Sequence, residues 1–430
     1  MTAPARLAAA CQDLRPGTAA DAVGGVVPGW VAAPWSVAEA GAVLAAAAEL
    51  DLAVVPRGTG SRLSWGAPPR RCDLVVETRR LDEVLEHAAG DLVVRVQAGV
   101  RLGQLAARLG EAGQRLPLDP PGDGTVGGML AAGVAGPLRL RFGAPRDLLI
   151  GITVVRADGT IAKAGGKVVK NVAGYDLGKL FAGSAGTLGL IAEAIFRLHP
   201  RPAASAWVSA RYSGAGDAAQ ALVAAGGCVL APAAAELHWP GLDQPLTVAV
   251  LLEGHPEGVA ERAARMADLL TSAGPAPAGA GQPSAGPAIS STGPSWWGND
   301  SSAPGGTVLR VAFWPGKAAA VLDAICEAAV LAGVDPAAGG PAVAGVLHLT
   351  LPGEVPAGAV ARFVTGLRQA LGAGEDGPAR ASAVVLDAPP AVRDAVDLWG
   401  PVPAVELMRA VKDQFDPGHR MAPGRLAGGI

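Results

Sequence analysis

The sequence predicts an α+β fold of at least two domains. The chain has 430 residues, more than one minimal core needs, and strand-like and helix-like segments alternate along most of it. Hydrophobic residues make up 50% of the chain and aromatic residues only 4%, so the core is built mainly from Ala, Val and Leu. Glycine-rich stretches interrupt the alternation at 117–143 and 164–189. We expect conformationally demanding loops at these two places.

The first part of the chain mixes helices and strands in a domain expected over 25–202. A proline-containing junction at 200–202 ends it. The apolar pattern predicts helices over 36–50 and 102–109, and strands over 53–55, 74–76, 92–96, 149–156 and 190–198.

Beyond that junction the alternation predicts a second domain over 203–390, with one mostly antiparallel sheet and helices on a face. The predicted strands are 206–212, 246–252, 308–313 and 343–351. One predicted helix ends at 225, and three others span 256–272, 317–331 and 360–371. Residues 273–306 have almost no charge and indicate a long flexible loop. Trp296 and Trp297 in this loop either anchor a partner or substrate mouth, or fold back onto the chain's own core. A C-terminal segment follows over 391–430.

Charge and cysteine content exclude several classes of protein. Lys and Arg total 35 against 38 Asp and Glu, which leaves no basic surface for nucleic acid. The four cysteines, Cys11, Cys72, Cys228 and Cys326, are scattered singly and form no zinc or iron–sulfur motif. The N-terminus is a poor secretory signal, and no apolar run reaches membrane-spanning length. We expect a soluble, cytoplasmic protein without a metal.

The first glycine-containing loop, Pro56–Arg62, has the composition of an anion-binding turn. Its small residues Gly58–Ser61 let backbone N–H groups converge, because glycine accepts positive φ and has no Cβ. Arg57 and Arg62 add positive charge, and Pro56 stiffens the entry. The same residues also suit an ordinary turn between strands, so both interpretations stay open.

The second loop, Gly122–Gly127, contains a GxGxxG sequence, as Rossmann dinucleotide-binding turns do. A Rossmann turn needs a strand before it and a helix after it, whereas Pro120–Pro121 occupies the strand position here. A loop that packs along an extended cofactor suits the sequence better. Thr125 offers a hydroxyl, and Gly127–Gly128 allows close backbone approach.

The third loop, Gly183–Gly189, leads into the apolar strand that contains Ile191. Its small residues would let a flat aromatic ring lie against the backbone, or they form a tight turn that serves packing only. The chain has no GxxxxGK[ST] sequence, so nucleotide hydrolysis lacks its phosphate-binding loop.

In this order, the three loops resemble the FAD-binding domain of the vanillyl-alcohol oxidase family, also called the PCMH-type flavin domain. The resemblance covers residues 25–202 and implies a two-lobed FAD-binding domain, an α+β antiparallel-sheet cap domain and a C-terminal helix that returns to the flavin domain. Arg139, Gly143, Arg146 and Asp147 match further family positions. The cofactor-binding residues that it implies are Pro56, Arg57, Gly58, Thr59, Gly60, Ser61, Arg62, Thr125, Val126, Gly127, Gly128, Ala131, Ala132, Gly133, Val134, Gly186, Gly189 and Ile191.

One departure from the family concerns flavin attachment. Members with covalent flavin usually carry histidine at the position of Ser61, and serine has no imidazole to offer. The resemblance therefore implies non-covalent FAD.

A closer resemblance, to the FAD-binding E subunits of bacterial glycolate oxidases, rests on three segments: 165–191, 196–202 and 398–426. It implies a heteromeric complex that oxidises a small hydroxy acid, with a catalytic flavin D subunit and an iron–sulfur F subunit as partners. Those partners could hold the complex at the membrane.

The catalytic motifs of related 2-hydroxyacid dehydrogenases, GHxGDGNxH and EHGxG, are eroded in this sequence. The first has thinned to Val346–Leu349, with His348 alone, and Leu398–Pro401 replaces the second. Oxidation of a hydroxy acid needs a base, because the alcohol proton leaves as hydride moves to the flavin. His348 is either a structural histidine or that base. Tyr175 and Arg425 are the other catalytic candidates, although Arg425 also fits a surface arginine.

These observations predict an FAD-binding, electron-transferring subunit with little or no substrate turnover of its own. One alternative is a self-sufficient FAD-dependent oxidoreductase of a small hydroxy acid or alcohol, with His348 or Tyr175 as base. The other is an assembly subunit that has lost FAD. The intact glycines of the three loops argue against it, because a scaffold has no need for close phosphate approach.

Overall fold

The computed structural model describes residues 3–167, 176–274, 286–298, 305–372 and 381–430. These residues form a two-lobed domain, a cap domain with one large sheet, and a C-terminal segment that packs back on the first domain. Within the described residues, no helix combines the length and apolar character that a membrane crossing requires.

The first lobe is a four-stranded sheet with the order β1-β2-β4-β3. The strands β2, β3 and β4 are parallel, and β1 is antiparallel at one edge. Met421, near the C-terminus, forms a parallel bridge with Val54 at the other edge. The elements of this lobe are α1 (Ala3–Ala10), β1 (Leu14–Pro16), β2 (Trp30–Ala32), α2 (Val37–Glu49), β3 (Val54–Arg57) and β4 (Leu74–Glu77).

The second lobe is a five-stranded antiparallel sheet with the order β5-β6-β10-β8-β9, next to a small pair, β7 with β11. Its core includes Val96, Leu130 and Phe196. The elements are β5 (Val84–Ala88), β6 (Val93–Gln97), α3 (Leu102–Gly110), β7 (Gln114–Arg115), α4 (Val126–Ala132), α5 (Arg139–Phe142), α6 (Pro145–Leu148), β8 (Leu149–Val155), β9 (Ile161–Gly165), α7 (Gly178–Phe181), β10 (Leu190–Arg197) and β11 (His199–Pro200).

The cap is an eight-stranded antiparallel sheet with the order β15-β12-β14-β13-β17-β18-β16-β19. The elements from here to the C-terminus are β12 (Ala204–Tyr212), α8 (Ala215–Gly227), β13 (Ala234–Trp239), β14 (Leu246–Gly254), α9 (Pro256–Ser272), β15 (Ala288–Ser290), β16 (Thr307–Ala312), α10 (Ala318–Ala332), β17 (Ala337–Gly340), β18 (Val346–Leu351), α11 (Ala357–Ala370), β19 (Ser382–Asp387), α12 (Pro390–Ala395) and α13 (Val405–Phe415).

The two faces of the cap sheet have different neighbours. Leu309 and Leu349 share a core with the cap helices, for example with Phe363 of α11. Because side chains alternate along a strand, the residues between them turn to the other face. On that face Leu251 packs with Leu138 of the first domain. One face of the cap sheet therefore packs on the cap helices, and the other face, which can carry polar residues, lies against the two-lobed domain.

The α+β class, the antiparallel cap sheet and the return of the C-terminal helix are confirmed. The predicted helices and strands in both domains are present within a few residues of their expected bounds. Several strands were not predicted, and most of them are short or lack a strong apolar alternation. They are β1, β2, β5, β7, β9, β11, β13, β15, β17 and β19. The predicted domain boundary at 202 stays a prediction; it falls between the end of β11 and the start of β12.

The segment 273–306 is not a loop throughout its described part, which corrects the sequence expectation. Residues of β15 pair with β12 and extend the cap sheet at its edge. Trp296 stacks on His238 with ring centroids 4.7 Å apart, and Trp297 meets Trp207 edge-on at 6.2 Å. Of the two interpretations of these tryptophans, packing against the chain's own domain is confirmed.

Candidate functional site

A cleft of about 590 Å³ lies where the two lobes meet the cap, within the size range of small-molecule sites. All three glycine-containing loops contribute to its wall. The cap contributes Arg310, Ala344 and Leu386, and the C-terminal segment contributes Arg425 and Leu426. The cleft is thus assembled from every part of the chain.

The first loop follows β3 and offers backbone donors to the cleft. The N–H groups of Gly58, Thr59, Gly60 and Ser61 donate to no acceptor within the part of the chain that the structure describes. Gly60 has a φ of +79°, which turns the chain so that neighbouring N–H groups face one side. Such an array suits phosphate oxygens, which accept several hydrogen bonds at once.

The three loops interlock. A Cβ on Gly58 would overlap Oγ1 of Thr125, so the backbone of the first loop packs directly against the Thr125 side chain of the second loop. The second and third loops are joined by hydrogen bonds from Gly183 N to Leu130 O and from Ala185 N to Ala131 O, both 2.8 Å. The three loops are therefore packed together, and their small residues bring the backbone to the surface of the cleft.

Most of the predicted cofactor-binding residues line this cleft. Those that do are Pro56, Arg57, Gly58, Thr59, Gly60, Ser61, Arg62, Gly128, Ala131, Ala132, Gly133, Val134 and Gly186. Their convergence agrees with the three-loop hypothesis, and their contact with the cofactor stays a prediction.

The other predicted residues lie behind the wall of the cleft. Thr125 accepts a hydrogen bond from Gly128 N at 3.2 Å and so caps α4. Gly127 N donates to Ala98 O at 2.8 Å, and a Cβ on Gly127 would lie 2.7 Å from that of Ala98. Val126 is fully buried in the lobe core. These three residues position the second loop by packing and capping.

Gly189 and Ile191 belong to the approach and body of β10. A Cβ on Gly189 would lie 2.7 Å from Val155 O, so this glycine permits the entry into the strand. Ile191 is 5% exposed and pairs with Val154 in the sheet. Both residues serve the sheet beneath the third loop.

Arg57 does not direct an unpaired positive charge into the cleft. Its guanidinium donates to Asp21 at 2.7 Å and to Glu77 at 2.6 Å. Hydrogen bonds from Arg15 and then Arg57 hold the pKa of Asp21 well below its usual range. Arg57 therefore ties the first loop to the N-terminal segment, while the backbone supplies the donors for an anion.

Arg425 is a buried residue, which corrects the interpretation as a surface arginine. It is 4% exposed, and its guanidinium donates to Leu63 O at 2.9 Å and to Trp65 O at 2.6 Å. Burial lowers its pKa to about 10, so it stays charged at neutral pH. It holds the chain just after the first loop and is a positioning residue.

His348 lies on the face of the cap sheet that looks toward the two-lobed domain. It pairs in register with Arg310 of the neighbouring strand, and burial lowers its pKa to about 4. Arg310, Arg139 and Arg62 lower that pKa further because their positive charges disfavour the imidazolium. At neutral pH the imidazole is thus uncharged. Tyr175, the other candidate base, lies outside the described residues.

The remaining features of the site are the metal-binding potential of its side chains and the polar residues that were not predicted. No group of three or more His, Cys, Asp or Glu side chains within the described residues could hold a metal ion. Arg310 was not predicted, although one arginine in the apolar run TVLRVAF was a signal. The carboxyl groups of Asp119 and Glu236, whose pKa values burial raises to about 7 and about 8, were not predicted either, since nothing in their local sequence marks them.

Comparison with known proteins identifies the cofactor. Residues 28–165 match the family of FAD binding domains named FAD_binding_4. The glycolate oxidase subunit GlcD of Bacillus subtilis is 35% identical over 226 residues, which are 52% of this chain and 47% of that protein. The glycolate oxidase subunit GlcE of Escherichia coli is 39% identical over 155 residues, 35% of this chain and 44% of that protein.

A third relative is a dehydrogenase. The D-lactate dehydrogenase of Archaeoglobus fulgidus is 38% identical over 172 residues, 40% of this chain and 39% of that protein. The chain spans less than half the length of each of these three relatives. The similarity therefore concerns part of each protein.

The overall fold has solved counterparts. Two structures of alkyldihydroxyacetonephosphate synthase align with TM-scores of 0.67 and 0.69 at 17% and 15% identity. The alignments cover 93% and 96% of this chain, and 77% and 82% of the other chains. At this identity the likeness shows the fold alone.

The cleft fits FAD. The donors of Gly58–Ser61 match the oxygens of a pyrophosphate, and the small residues of the three loops expose backbone along a cleft of about 590 Å³. The chain therefore contains an FAD binding domain with the PCMH-type fold, its cofactor is FAD, and FAD-dependent oxidoreductases are among its relatives.

Proposed function

We propose that this protein is the FAD-carrying, electron-transferring subunit of a glycolate oxidase-like complex and turns over little or no substrate alone. The observation that carries the proposal is a complete set of flavin loops beside a depleted set of proton acceptors. Among the described residues, those that the cap contributes to the wall of the cleft are Arg310, Ala344 and Leu386, none of which accepts a proton. Beside Arg310, on the neighbouring strand, lies His348. A pKa of about 4 makes it a weak acceptor for an alcohol proton.

The chain's residues bind and position the cofactor in this account. The N–H groups of Gly58–Ser61 hold the pyrophosphate, and Arg425 fixes the chain that follows this loop. The cap contributes Arg310, Ala344 and Leu386 to the wall of the cleft. When bound at this site, FAD would supply two-electron redox chemistry. The attachment is non-covalent, because Ser61 lacks the imidazole that covalent members use.

The proposed partners are a catalytic flavin D subunit and an iron–sulfur F subunit. The relatives named GlcD and GlcE are both glycolate oxidase subunits, which supports an assembly of this kind. The four cysteines lie at separate places, two of them buried, so cluster ligands must come from another chain. We place the complex in the cytoplasm, with any membrane association supplied by the partners.

A self-sufficient hydroxy-acid oxidoreductase is the second candidate function. It is favoured by the arginines and the histidine that the cap and the second lobe bring to the cleft, since these groups suit an acidic substrate. His348 or Tyr175 would then be the base. The intact loop donors argue against a scaffold that has lost FAD.

Affinity purification of the tagged chain from its native host tests the proposal. We expect two co-purifying proteins, one a flavoprotein and one an iron–sulfur protein, and glycolate oxidation by the assembly only. Recovery of a lone monomer with full glycolate activity would contradict the proposal and support the self-sufficient enzyme.

A further inference from the structure

Two arginines, Arg310 and Arg139, and the neutral His348 lie together at the cap side of the cleft. We call these three residues the cap triad. Arg310 lies in the middle of β16, and His348 is its partner in β18. Leu309 and Leu349, their strand neighbours, belong to the cap core, so Arg310 and His348 turn to the opposite face. Arg139 begins α5 of the second lobe. Two domains therefore contribute to the triad.

The members of the triad lie close enough to disfavour one another's charge. Burial and then the charge of Arg139 lower the pKa of Arg310. Burial, followed by the charges of Arg310 and Arg139, lowers the pKa of His348. Both arginines line the cleft. Their charges therefore face the space beside the flavin loops.

The triad lacks a matching negative charge. No hydrogen bond or ion pair to the guanidinium of Arg310 comes from the residues that the structure describes. Asp147 is the carboxylate that acts on Arg139, but it also accepts a hydrogen bond from Ala144 N at 2.8 Å and lies 3.9 Å from Arg146. Arg310 and Arg139 are partly buried, and a cation that loses water without gaining a counter-charge is costly, so a ligand anion would stabilise this arrangement.

We propose that the cap triad binds the carboxylate of a small organic acid in the cleft beside FAD. Planar guanidinium groups pair well with a carboxylate, and the uncharged imidazole of His348 supplies one further hydrogen bond. The choice of a carboxylate rests on the proposed function, because glycolate is a small hydroxy acid. The site holds the acid whether or not this chain oxidises it.

The loop donors and the triad are separate sources of anion binding. The N–H groups of Gly58–Ser61 belong to the first loop, whereas Arg310 and His348 belong to the cap sheet. A phosphate of FAD is the competing occupant of the triad. The two occupants differ in their effect, since only the phosphate makes FAD retention depend on Arg310.

Titration of the full-length, FAD-loaded chain with sodium oxalate tests the proposal. Oxalate has no C–H bond to give up as hydride, so its binding is measured apart from turnover. The readouts are calorimetry and the visible flavin difference spectrum, in a buffer free of chloride and phosphate. We expect saturable binding at one site per chain.

Arg310→Gln and Arg139→Gln are the test variants, and Arg211→Gln on the exposed side of β12 is the matched control. We expect each test variant to weaken oxalate binding by about tenfold or more, because one charge-assisted pair is lost, while FAD per chain stays unchanged. The control should bind oxalate as the unmodified protein does. Thermal unfolding checks that each variant folds. Because Arg310 belongs to the cap and Arg139 to the second lobe, a folding defect in one domain leaves the other variant as a test.

Three outcomes would overturn the proposal. The first is that the unmodified holoprotein does not bind oxalate. The second is that both test variants bind oxalate with unchanged affinity. The third is that Arg310→Gln loses FAD, because the triad would then hold a phosphate of the cofactor. A different observation would contradict the proposed function, namely bleaching of the flavin when glycolate is added to the chain alone. The two failures are therefore distinguishable.

Discussion

Gly58 shows how closely the flavin loops approach each other. A Cβ at this position would overlap Oγ1 of Thr125, which is itself fixed as the cap of α4. The first loop therefore has to move away from the second when a larger residue is introduced. Such a shift displaces the N–H donors of Gly58–Ser61 relative to the cleft.

We predict that Gly58→Ala weakens FAD binding by about tenfold or more, in line with an overpacking cost of about 1–3 kcal/mol. FAD titration of the cofactor-free chain measures the affinity. Gly90→Ala is the control, since no atom lies within 4 Å of its added Cβ. Equal affinity of Gly58→Ala and the unmodified chain would show that the contact between the loops does not shape the site.

Glu236 makes stability depend on pH. Its carboxylate accepts a hydrogen bond from Gly298 N at 2.9 Å, and burial, with a contribution from the charge of Asp119, raises its pKa to about 8. In the unfolded chain this carboxyl ionises near pH 4.5, whereas in the folded chain it keeps its proton to about pH 8. Its contribution to stability is therefore complete below the unfolded pKa and is lost as pH rises through the folded one.

We predict that Glu236→Gln removes the loss of stability that this carboxyl group causes as the pH rises. Glutamine keeps an acceptor for Gly298 N and cannot ionise, so the variant should unfold like the parent at pH 4 and be more stable by roughly 2–4 kcal/mol at pH 9. Denaturant unfolding at both pH values measures the difference. Glu327→Gln, at an exposed position of α10, is the control. The same pH dependence in parent and variant would contradict the raised pKa.

Single residues also show what the sequence can and cannot predict about the site. Glycines at 58, 60 and 128 were predicted as cleft residues because their lack of a side chain is itself the signal. By contrast, the local sequence does not indicate whether the guanidinium of an arginine points into the cleft or pairs with a carboxylate elsewhere. Arg57 pairs with Asp21 and Glu77, whereas Arg310 faces the cleft, and both facts depend on distant segments.

At the scale of elements, α13 returns to the flavin domain through a buried ion pair. Lys412 and Asp416 are both fully buried and lie 2.6 Å apart. Nζ of Lys412 also donates to Thr187 O of the third loop at 2.7 Å. Asp416 accepts from Met421 N at 2.7 Å and so fixes the turn that reaches β3. The pair joins the helix, the tail and the third loop.

We predict that Lys412→Met destabilises the protein by about 3–5 kcal/mol, because the charge of Asp416 stays buried without its partner. Denaturant unfolding followed by circular dichroism measures the change. Arg409→Met, on an exposed turn of the same helix, should cost less than about 1 kcal/mol. A loss for Lys412→Met as small as that of the control would show that the ion pair does not hold the helix.

The predictability of the elements follows the strength of their local pattern. α2, α9 and α10 have apolar periodicity over many residues and were predicted within a few residues of their ends. The strand β17, with the sequence AAGG, has no strand signal, and its pairing with β13 and β18 supplies its conformation. Partner strands far away in sequence, such as these, cannot be inferred from local composition.

At the scale of the whole molecule, the cap and the tail converge on the chain after the first flavin loop. Arg393 of α12 donates to Ser64 O at 2.6 Å and to Gly66 O, and Arg425 of the tail donates to Leu63 O and Trp65 O. Leu386 O of the cap accepts from Gly66 N at 2.8 Å. The position of the cap is therefore coupled to the flavin loop.

We predict that Arg393→Ala weakens FAD binding by about tenfold and increases amide hydrogen exchange over residues 58–66, because two backbone carbonyls lose a charged donor. FAD titration and exchange followed by mass spectrometry measure the two effects. Arg265→Ala is the control, since its ion pair with Glu261 is exposed and long at 3.8 Å. Unchanged exchange in the loop would contradict the coupling.

The assignment of electron transfer without independent turnover is the central claim for the molecule. It combines the flavin cleft, which every part of the chain helps to build, with an uncharged His348 in place of a strong base. The visible absorbance spectrum of the purified chain, before and after anaerobic addition of glycolate, tests this claim most directly. The account predicts an oxidised flavin spectrum that glycolate leaves unchanged. A spectrum that bleaches on addition of glycolate would contradict it, because the chain would then contain a complete active site.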